Sequence, residues 1–387
     1  MRVAIVTENF LPKLDGVTRT LAMTLDHLHR QGHRALVLGP AHSLRRYGGA
    51  LVLRAPGIPL PFYPELRLSF PPRRFNRALA RFGPDIVHVV DPMMMGAAGI
   101  RWAHSLGVPT LSSYHTNLAT YCAHYGFAKL EEPTWRYRRH LHNQCALTLC
   151  PSPSTASQLI RRGFQRVSVW PRGVDSALFR PDRRSVDWRR ATAGRDDTKI
   201  MLYVGRLSRE KNLDLLAEAF ARLNRADTHL VLVGDGPARG DLERRLAGRR
   251  VTFTGYLRGV QLATAYASAD VFAFPSVTET FGQVVFEAMA SGLPIVARDG
   301  EGVCDLVTHG VTGLLVPSDD AGEFASALNA LLGDEDRRRC MGSSGRSVAE
   351  RNTWERVLNR LVETYRDVSG GGVAGERMSA LAAIATL

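Results

Sequence analysis

The sequence predicts an α/β protein made of two doubly wound parallel sheets, each in its own domain. Three observations predict this. The chain has 387 residues, 45% of them hydrophobic, which is enough for two cores. Short apolar runs of strand length alternate with longer amphipathic stretches, the pattern of a parallel sheet covered by helices. That alternation lapses over residues 171–198, rich in Pro, Arg and Asp, and then restarts. The expected organisation is an N-terminal domain at 1–170, a linker at 171–198, a second domain at 199–352, a last helix at 353–368 and a mobile tail at 369–387. Two such domains leave a cleft at the carboxyl ends of their strands, where ligands bind in this class.

In the first domain, residues 3–7, 35–39, 86–90, 110–114 and 146–150 read as buried strands, with a helix over 17–28. The loop after the first strand runs Glu8-Asn9-Phe10-Leu11-Pro12-Lys13-Leu14-Asp15-Gly16-Val17. It is not GxGxxG, and GxxxxGK[ST] occurs nowhere in the chain. Gly16 either brings backbone N–H close to a phosphate or sugar, or is a plain turn glycine. Residues 57–72 are Pro-rich and apolar and read as a long irregular loop. In residues 71–82, PPRRFNRALARF, Arg73, Arg74, Arg77 and Arg81 fall near one helical face, and Phe75, Ala78, Leu79 and Phe82 on the other. Such a helix either lies in a membrane interface with its guanidiniums on anionic lipid phosphates, or buries its apolar face and leaves its arginines solvated. His115 follows the strand at 110–114, at the ligand edge of the sheet. There it can donate to a sugar hydroxyl or phosphate; the alternative is a structural histidine. Residues 131–147 read as one helix whose aromatics, Trp135 and Tyr137, pack.

In the second domain the strands are 200–204, 229–233, 251–254, 271–274 and 294–297. The first ends in Gly205-Arg206-Leu207-Ser208-Arg209-Glu210-Lys211-Asn212. Arg206 offers a fork of donors and Lys211 a compact charge, so together they can clamp a diphosphate, unless both are merely solvated. The third strand ends Gly255-Tyr256-Leu257, where backbone groups and Tyr256 can meet a base. The fourth leads into Ser276 to Pro294, SVTETFGQVVFEAMASGLP. Here Glu279, Phe281 and Gly282 precede a helix that carries Glu287. A helix opened by glycine presents free N–H groups and a positive dipole end, which suits phosphate oxygens. Glu279 and Glu287 are separated by about 12 Å along the element, so they cannot share one reacting atom. They either hold two ends of an elongated ligand or are solvated. Three loops, after the first, third and fourth strands, thus point Arg206 and Lys211, Tyr256, and Glu279 with Gly282 at one sheet edge. Glu301-Gly302-Val303 adds a further backbone contact. Asp334-Glu335-Asp336 reads as a solvated face late in a helix, and no metal cluster is expected.

The net charge is +13. Residues 1–170 carry 21 Lys/Arg against 8 Asp/Glu, whereas residues 171–387 carry 29 of each. All the excess therefore lies in the N-terminal half, which points to an anionic surface as its partner. No apolar run is long enough to span a membrane, and the first residues read as a strand and not as a signal peptide. The five cysteines form no CxxC pair and are odd in number, as in a reduced, cytoplasmic protein. The charge alone admits a nucleic-acid binder, but RNP, KH and zinc-finger patterns are missing, so no nucleic acid is expected as a partner.

These motifs together resemble retaining nucleotide-sugar glycosyltransferases of family 4. The resemblance rests on the Glu279–Glu287 spacing around Phe281-Gly282, the Gly205-Arg206 to Lys211-Asn212 loop, Asp15-Gly16-Val17 and His115-Thr116. It covers residues 1 to about 368. Within the family the chain is similar to bacterial GDP-mannose-dependent lipid α-mannosyltransferases and to sulfoquinovosyl-diacylglycerol synthases. The resemblance implies the GT-B fold, two Rossmann-like domains facing a central cleft, with the last helix crossing back to the first domain. It implies that Arg206 and Lys211 hold the diphosphate, Glu279 the sugar hydroxyls and Glu287 the ribose. It places Gly16 near the phosphate or sugar and His115 at the sugar and transition state. The expected donor is GDP-mannose, with a UDP-sugar as alternative; no cofactor is expected. The expected acceptor is a lipid or glycolipid, at the inner face of the plasma membrane. Asn117, after His115-Thr116, and the single Gly16 depart from the family pattern on the acceptor side. An epimerase or phosphorylase on the same fold is the alternative chemistry.

Overall fold

The computed structural model describes residues 1–12, 15–60, 63–120, 126–195, 197–223, 225–277 and 279–370. The chain forms two compact units: Met1–Pro171 together with the chain from Glu355 on, and Arg172–Trp354.

The first unit holds β1 (Arg2–Thr7), β2 (Arg34–Pro40), β3 (Arg46–Tyr47), β4 (Ala50–Ala55), β5 (Gly57–Leu60), β6 (Tyr63–Ser69), β7 (Ile86–Val90), β8 (Thr110–Ser113), β9 (Leu147–Cys150) and β10 (Val167–Val169). Its main sheet has the order β10-β9-β8-β7-β1-β2-β4-β3. All pairs are parallel except β3 with β4. β1 is apolar from Val3 to Val6, and β7 is apolar apart from His88, because helices cover both faces of a parallel sheet. The chain winds outward from β1 to β2 and β4, then returns to β7 on the other side of β1. Ligands bind at such a reversal, beyond the carboxyl ends of the strands.

The second unit holds β11 (Lys199–Val204), β12 (Thr228–Val233), β13 (Val251–Gly255), β14 (Val271–Phe274), β15 (Ile295–Arg298) and β16 (Gly313–Val316). The order β13-β12-β11-β14-β15-β16 is parallel throughout, and its reversal falls between β11 and β14. Its core is one continuous cluster, from Val174 through the central strands to Ala349.

Three expectations change. Residues 57–60 and 63–69 are not an irregular loop but the antiparallel pair β5–β6. A two-stranded ribbon has two edges, so its prolines need not donate to a ladder. Asp334-Glu335-Asp336 is solvated as expected but lies at a junction of two helices: Asp334 is the C-cap of Ala321–Gly333 and, accepting from Arg337 N at 2.9 Å, also caps the start of Glu335–Arg351. The stretch read as a linker carries the helix Val186–Ala193, inside the second unit. Buried Arg189 holds it there, donating to Asp270 at 3.0 Å and to the carbonyls of Ser268 and Thr198. Burial works to raise the Asp270 carboxyl, but the Arg189 and Arg184 guanidiniums outweigh it and hold the group below its usual range.

The basic helix forms over Arg74–Phe82. Phe75 and Leu79 are buried, while Arg73, Arg74, Arg77 and Arg81 are exposed. Arg74, Arg77 and Arg81 also line a surface groove with Leu51, Leu53 and Phe82. The tail from residue 371 lies outside the described residues. No described helix is long and apolar enough to cross a membrane.

Candidate active site

At the reversal of the second sheet, the loops after β11 and β14 face each other. After β11, the Tyr203 hydroxyl donates to Arg206 O at 3.1 Å and folds the loop back. Burial pushes the Tyr203 phenol up, so it keeps its proton. A 3-10 turn over Arg209–Lys211 follows, ending at Asn212 in the left-handed region (φ 52°). Asn is among the few residues that tolerate this conformation, and the turn sets Lys211 at the sheet edge. Lys211 Nζ forms an ion pair with Glu279 of the facing loop. Both side chains are mostly buried, 17% and 22% exposed. Arg206 lies half-buried in the same loop.

The loop that carries Glu279 is fixed from behind. A Cβ on Gly302 would sit 2.6 Å from Glu279 O and 2.7 Å from Phe281 N, and Gly302 has φ 75°. Only glycine permits this approach, so Glu301-Gly302-Val303 packs against the loop that carries Glu279. Gly282 (φ 88°) then opens the helix Gln283–Ala290, whose start no side chain caps. Its N–H dipoles lie on the Glu279 side of the element. Phe281 packs inward, edge-on to Phe286 at 5.6 Å, so its backbone and not its ring stands at the loop. Glu287 is 2% exposed, and its Oε2 accepts from the Tyr266 hydroxyl at 3.3 Å. The two glutamates thus have different partners, Lys211 and Tyr266. Tyr256 stands out from the edge, 64% exposed, with its hydroxyl donating to Asp235 O at 3.0 Å.

In the first unit, Asp15 caps the helix Gly16–Arg30 through a capping box with Thr18. A Cβ on Gly16 would meet nothing within 4 Å, and its φ is not positive. Neither packing among the described residues nor backbone conformation demands glycine there. Further along the edge, β8 leads to His115, which is buried. The backbone N–H groups of His115 and Thr116 donate to Asp91 Oδ1, at 2.9 and 3.3 Å. Buried Arg138 clamps the same turn: it pairs with Asp91 at 2.5 Å, donates to Thr116 O and lies 4.3 Å over the Tyr114 ring. His115 Nε2 meets Ser113 Oγ at 2.7 Å. Asn117 accepts from Thr120 N at 3.3 Å, the bond of a helix cap.

Sequence reasoning did not single out Asp91, Arg138, Ser113 or Glu8, which shape this edge. Glu8 is buried at the end of β1, where Oε1 accepts from Met95 N and Gly96 N at 2.6 and 3.2 Å. The available signal was a carboxylate placed directly after an apolar strand. Among the described residues, no group of three or more His, Cys, Asp or Glu is arranged to hold a metal.

Two family models match the chain. The one described as Glycosyltransferase Family 4 matches residues 14–178, and the one described as Glycosyl transferases group 1 matches residues 198–334. The chain is 40% identical over 378 residues to a GDP-mannose-dependent alpha-mannosyltransferase of Mycolicibacterium smegmatis, covering 96% of this chain and 98% of that one. It is 35% identical over 345 residues to the sulfoquinovosyl transferase SQD2 of Arabidopsis thaliana, covering 87% and 67%. Among solved structures, sucrose-phosphate synthase of Thermosynechococcus elongatus is similar in fold, with a TM-score of 0.77 at 22% identity over 95% of this chain and 98% of that one.

Proposed function

The chain belongs to glycosyltransferase family 4, with the GT-B fold, and from that premise we propose that it moves mannose from GDP-mannose to a hydroxyl of a lipid or glycolipid, with retention at the anomeric carbon. The observation that carries the reading is the Lys211–Glu279 pair beside the glycine-opened helix, at the reversal of the second sheet. It sets a cation and N–H dipoles for a diphosphate next to a carboxylate for sugar hydroxyls. Similarity to GDP-mannose-dependent relatives supports the choice of donor.

In the proposed reaction the bond between the anomeric carbon and the β-phosphate oxygen breaks, and the diphosphate leaves with the electron pair. The acceptor oxygen bonds to the same face of the sugar, and its proton passes to the leaving phosphate. Lys211, Arg206 and the N–H groups at Gly282 stabilise the charge that develops on the diphosphate. Glu279 orients sugar hydroxyls, Glu287 holds the ribose, and Tyr256 stands where a base is accommodated. Gly16 leaves room at the first unit's edge, and His115 contacts the sugar. A retaining glycosidase brings two carboxyls about 5–5.5 Å apart around the scissile bond. Glu279 and Glu287, engaged with Lys211 and Tyr266, do not take those roles.

Thermal shift against GDP-, UDP- and ADP-sugars tests the donor. GDP-mannose is expected to give the largest rise, since a ligand at 100 times its Kd stabilises by about 2.7 kcal/mol. Glu287→Ala is expected to abolish that rise; an undiminished rise would remove Glu287 from the donor site. A UDP-sugar as the strongest stabiliser would favour the second reading, sulfoquinovosyl or glucosyl transfer, which the similarity to the plant sulfoquinovosyl transferase supports.

The enzyme is proposed to work peripherally at an anionic membrane. Its exposed Arg73, Arg74, Arg77 and Arg81 would meet lipid phosphates, each near-surface arginine contributing about 1 kcal/mol. Flotation with vesicles containing phosphatidylglycerol is expected to recover the wild type, and the fourfold alanine variant is expected to bind more than about tenfold more weakly. Equal recovery of both would take these arginines out of the membrane contact.

A further inference from the structure

A chain of hydrogen bonds runs through the interior of the first unit to His115. The Tyr365 hydroxyl, on the helix Trp354–Ser369, lies 2.6 Å from His88 Nδ1. His88 Nε2 lies 2.8 Å from Ser113 Oγ, and Ser113 Oγ lies 2.7 Å from His115 Nε2. Tyr365 and His88 are fully buried, Ser113 is 1% exposed and His115 6%. Trp170 meets both imidazoles edge-on, 6.1 Å from each, and fixes their planes.

With both imidazoles neutral, each of the four groups has one proton to place, and the Tyr365 end sets the direction. Burial pushes the Tyr365 phenol up, so it stays protonated. Among the described residues its hydroxyl has only His88 as a hydrogen-bond partner. A buried hydroxyl with no acceptor costs about 1–3 kcal/mol, so Tyr365 donates to His88 Nδ1. The neutral His88 then carries its proton on Nε2 and donates to Ser113. The Ser113 proton in turn goes to His115 Nε2. His115 is left neutral, with its proton on Nδ1 and its Nε2 lone pair occupied.

We propose that Tyr365, His88 and Ser113 are positioning residues that lock His115 in the Nδ1-protonated neutral form. Resting on the reading of His115 as a sugar contact, this makes His115 a hydrogen-bond donor in the transfer and not its base. The acceptor proton must then go to the leaving phosphate. It also makes turnover depend on the helix Trp354–Ser369, through one phenol 277 positions from its partner.

Histidine-selective 15N labelling of the full chain, with long-range 1H–15N correlation, tests the lock. The His115 signals are assigned by their loss in His115→Gln. Wild type is expected to show His115 as the Nδ1–H tautomer. Tyr365→Phe removes only the hydroxyl, and Ser113→Ala breaks the same chain at a second point should the first variant not fold. In either variant the His115 nitrogens are expected to move toward a tautomer average. The kcat is expected to fall about 10- to 100-fold, the range for losing a partner that orients a functional imidazole, with donor KM unchanged. An Nε2–H tautomer in wild type, or unmoved nitrogens in the variants, overturns the proposal. Moved nitrogens with wild-type kcat overturn its catalytic half. If wild type turned over none of the donors, the transfer reading itself would fail, while the nitrogen shifts would still decide the lock.

Discussion

Lys211→Ala is expected to lower kcat by roughly 10²–10³-fold, the cost of removing one preorganised donor from a developing anion. The side chain is 17% exposed, so its charge acts at lower effective dielectric than a surface lysine would. In the resting protein that charge faces Glu279, and in the proposed reaction it faces a diphosphate gaining negative charge. Only the second interaction strengthens along the reaction, so the loss should fall on kcat more than on donor KM. Stability should change little, because Glu279 keeps 22% exposure and can turn to water when its partner is gone. Glu279→Gln should also lower kcat while retaining GDP-dependent thermal stabilisation. The double variant should lose less than the product of the two single losses, since each single variant already breaks the shared pair. Steady-state kinetics at saturating donor read all three. A kcat for Lys211→Ala within about threefold of wild type would remove the lysine from the transition state.

The contrast between Lys211 and His115 shows which parts of a site a sequence displays. In the second unit every candidate lies within a few residues of a strand's carboxyl end. The strand is visible as an apolar run, so the position of the loop follows from the fold class. Arg206, Lys211, Tyr256 and Glu279 could therefore be assigned to one edge before any coordinates. The pairing of Lys211 with Glu279 follows from β11 and β14 being neighbours, an order that strand sequence alone does not fix. In the first unit the supporting groups look like ordinary core or surface. Arg138 lies in EEPTWRYRRHLHN among Arg136 and Arg139, and only folding reveals that it alone is buried against Asp91. Tyr365 and His88 are 277 positions apart. The one local hint was a histidine inside the otherwise apolar IVHVV of β7.

The fold behaved the same way. Central strands such as β1, β7, β11 and β14 are legible because burial on both faces selects uninterrupted apolar residues. Edge strands need no such run. β10 is half-buried and three residues long, and β16 begins with Gly313, pressed against Ile295 O so that a Cβ would stand 2.4 Å away. The β5–β6 pair was hidden by its prolines, which signal loops unless a strand has a free edge. Around Asp270 the composition misled in the opposite sense. Residues 184–189 looked like charged linker, yet two of their arginines hold one carboxylate of the core.

Glu8 gives a second large expected effect: the wild type should lose stability as pH rises from about 5 to 8, and Glu8→Gln should remove most of that loss. Burial is the largest influence on this carboxyl and works upward, against the N–H groups of Gly96, Met95 and Met93. Asp91 adds repulsion, and the group is pushed up to about 8 from its ordinary 4.5. The folded pKa thus lies above the unfolded one. Between the two, the unfolded chain has released a proton that the folded chain keeps, so stability falls with pH. The contribution is whole below pH 4.5 and is lost as pH rises through about 8. At about 1.4 kcal/mol per pKa unit its upper limit is roughly 5 kcal/mol. Glutamine keeps the carbonyl oxygen for the Met95 and Gly96 N–H groups and has no proton to release. Calorimetry of both proteins at pH 5, 6.5 and 8 should show the first unit's transition fall in wild type and hold in the variant. The gap should widen by roughly 10 °C, at about 2–4 °C per kcal/mol for a unit of this size. Parallel curves would mean that Glu8 is already ionised in the folded protein at pH 5. An anion there would leave the buried Oε2 without a hydrogen-bond partner among the described residues.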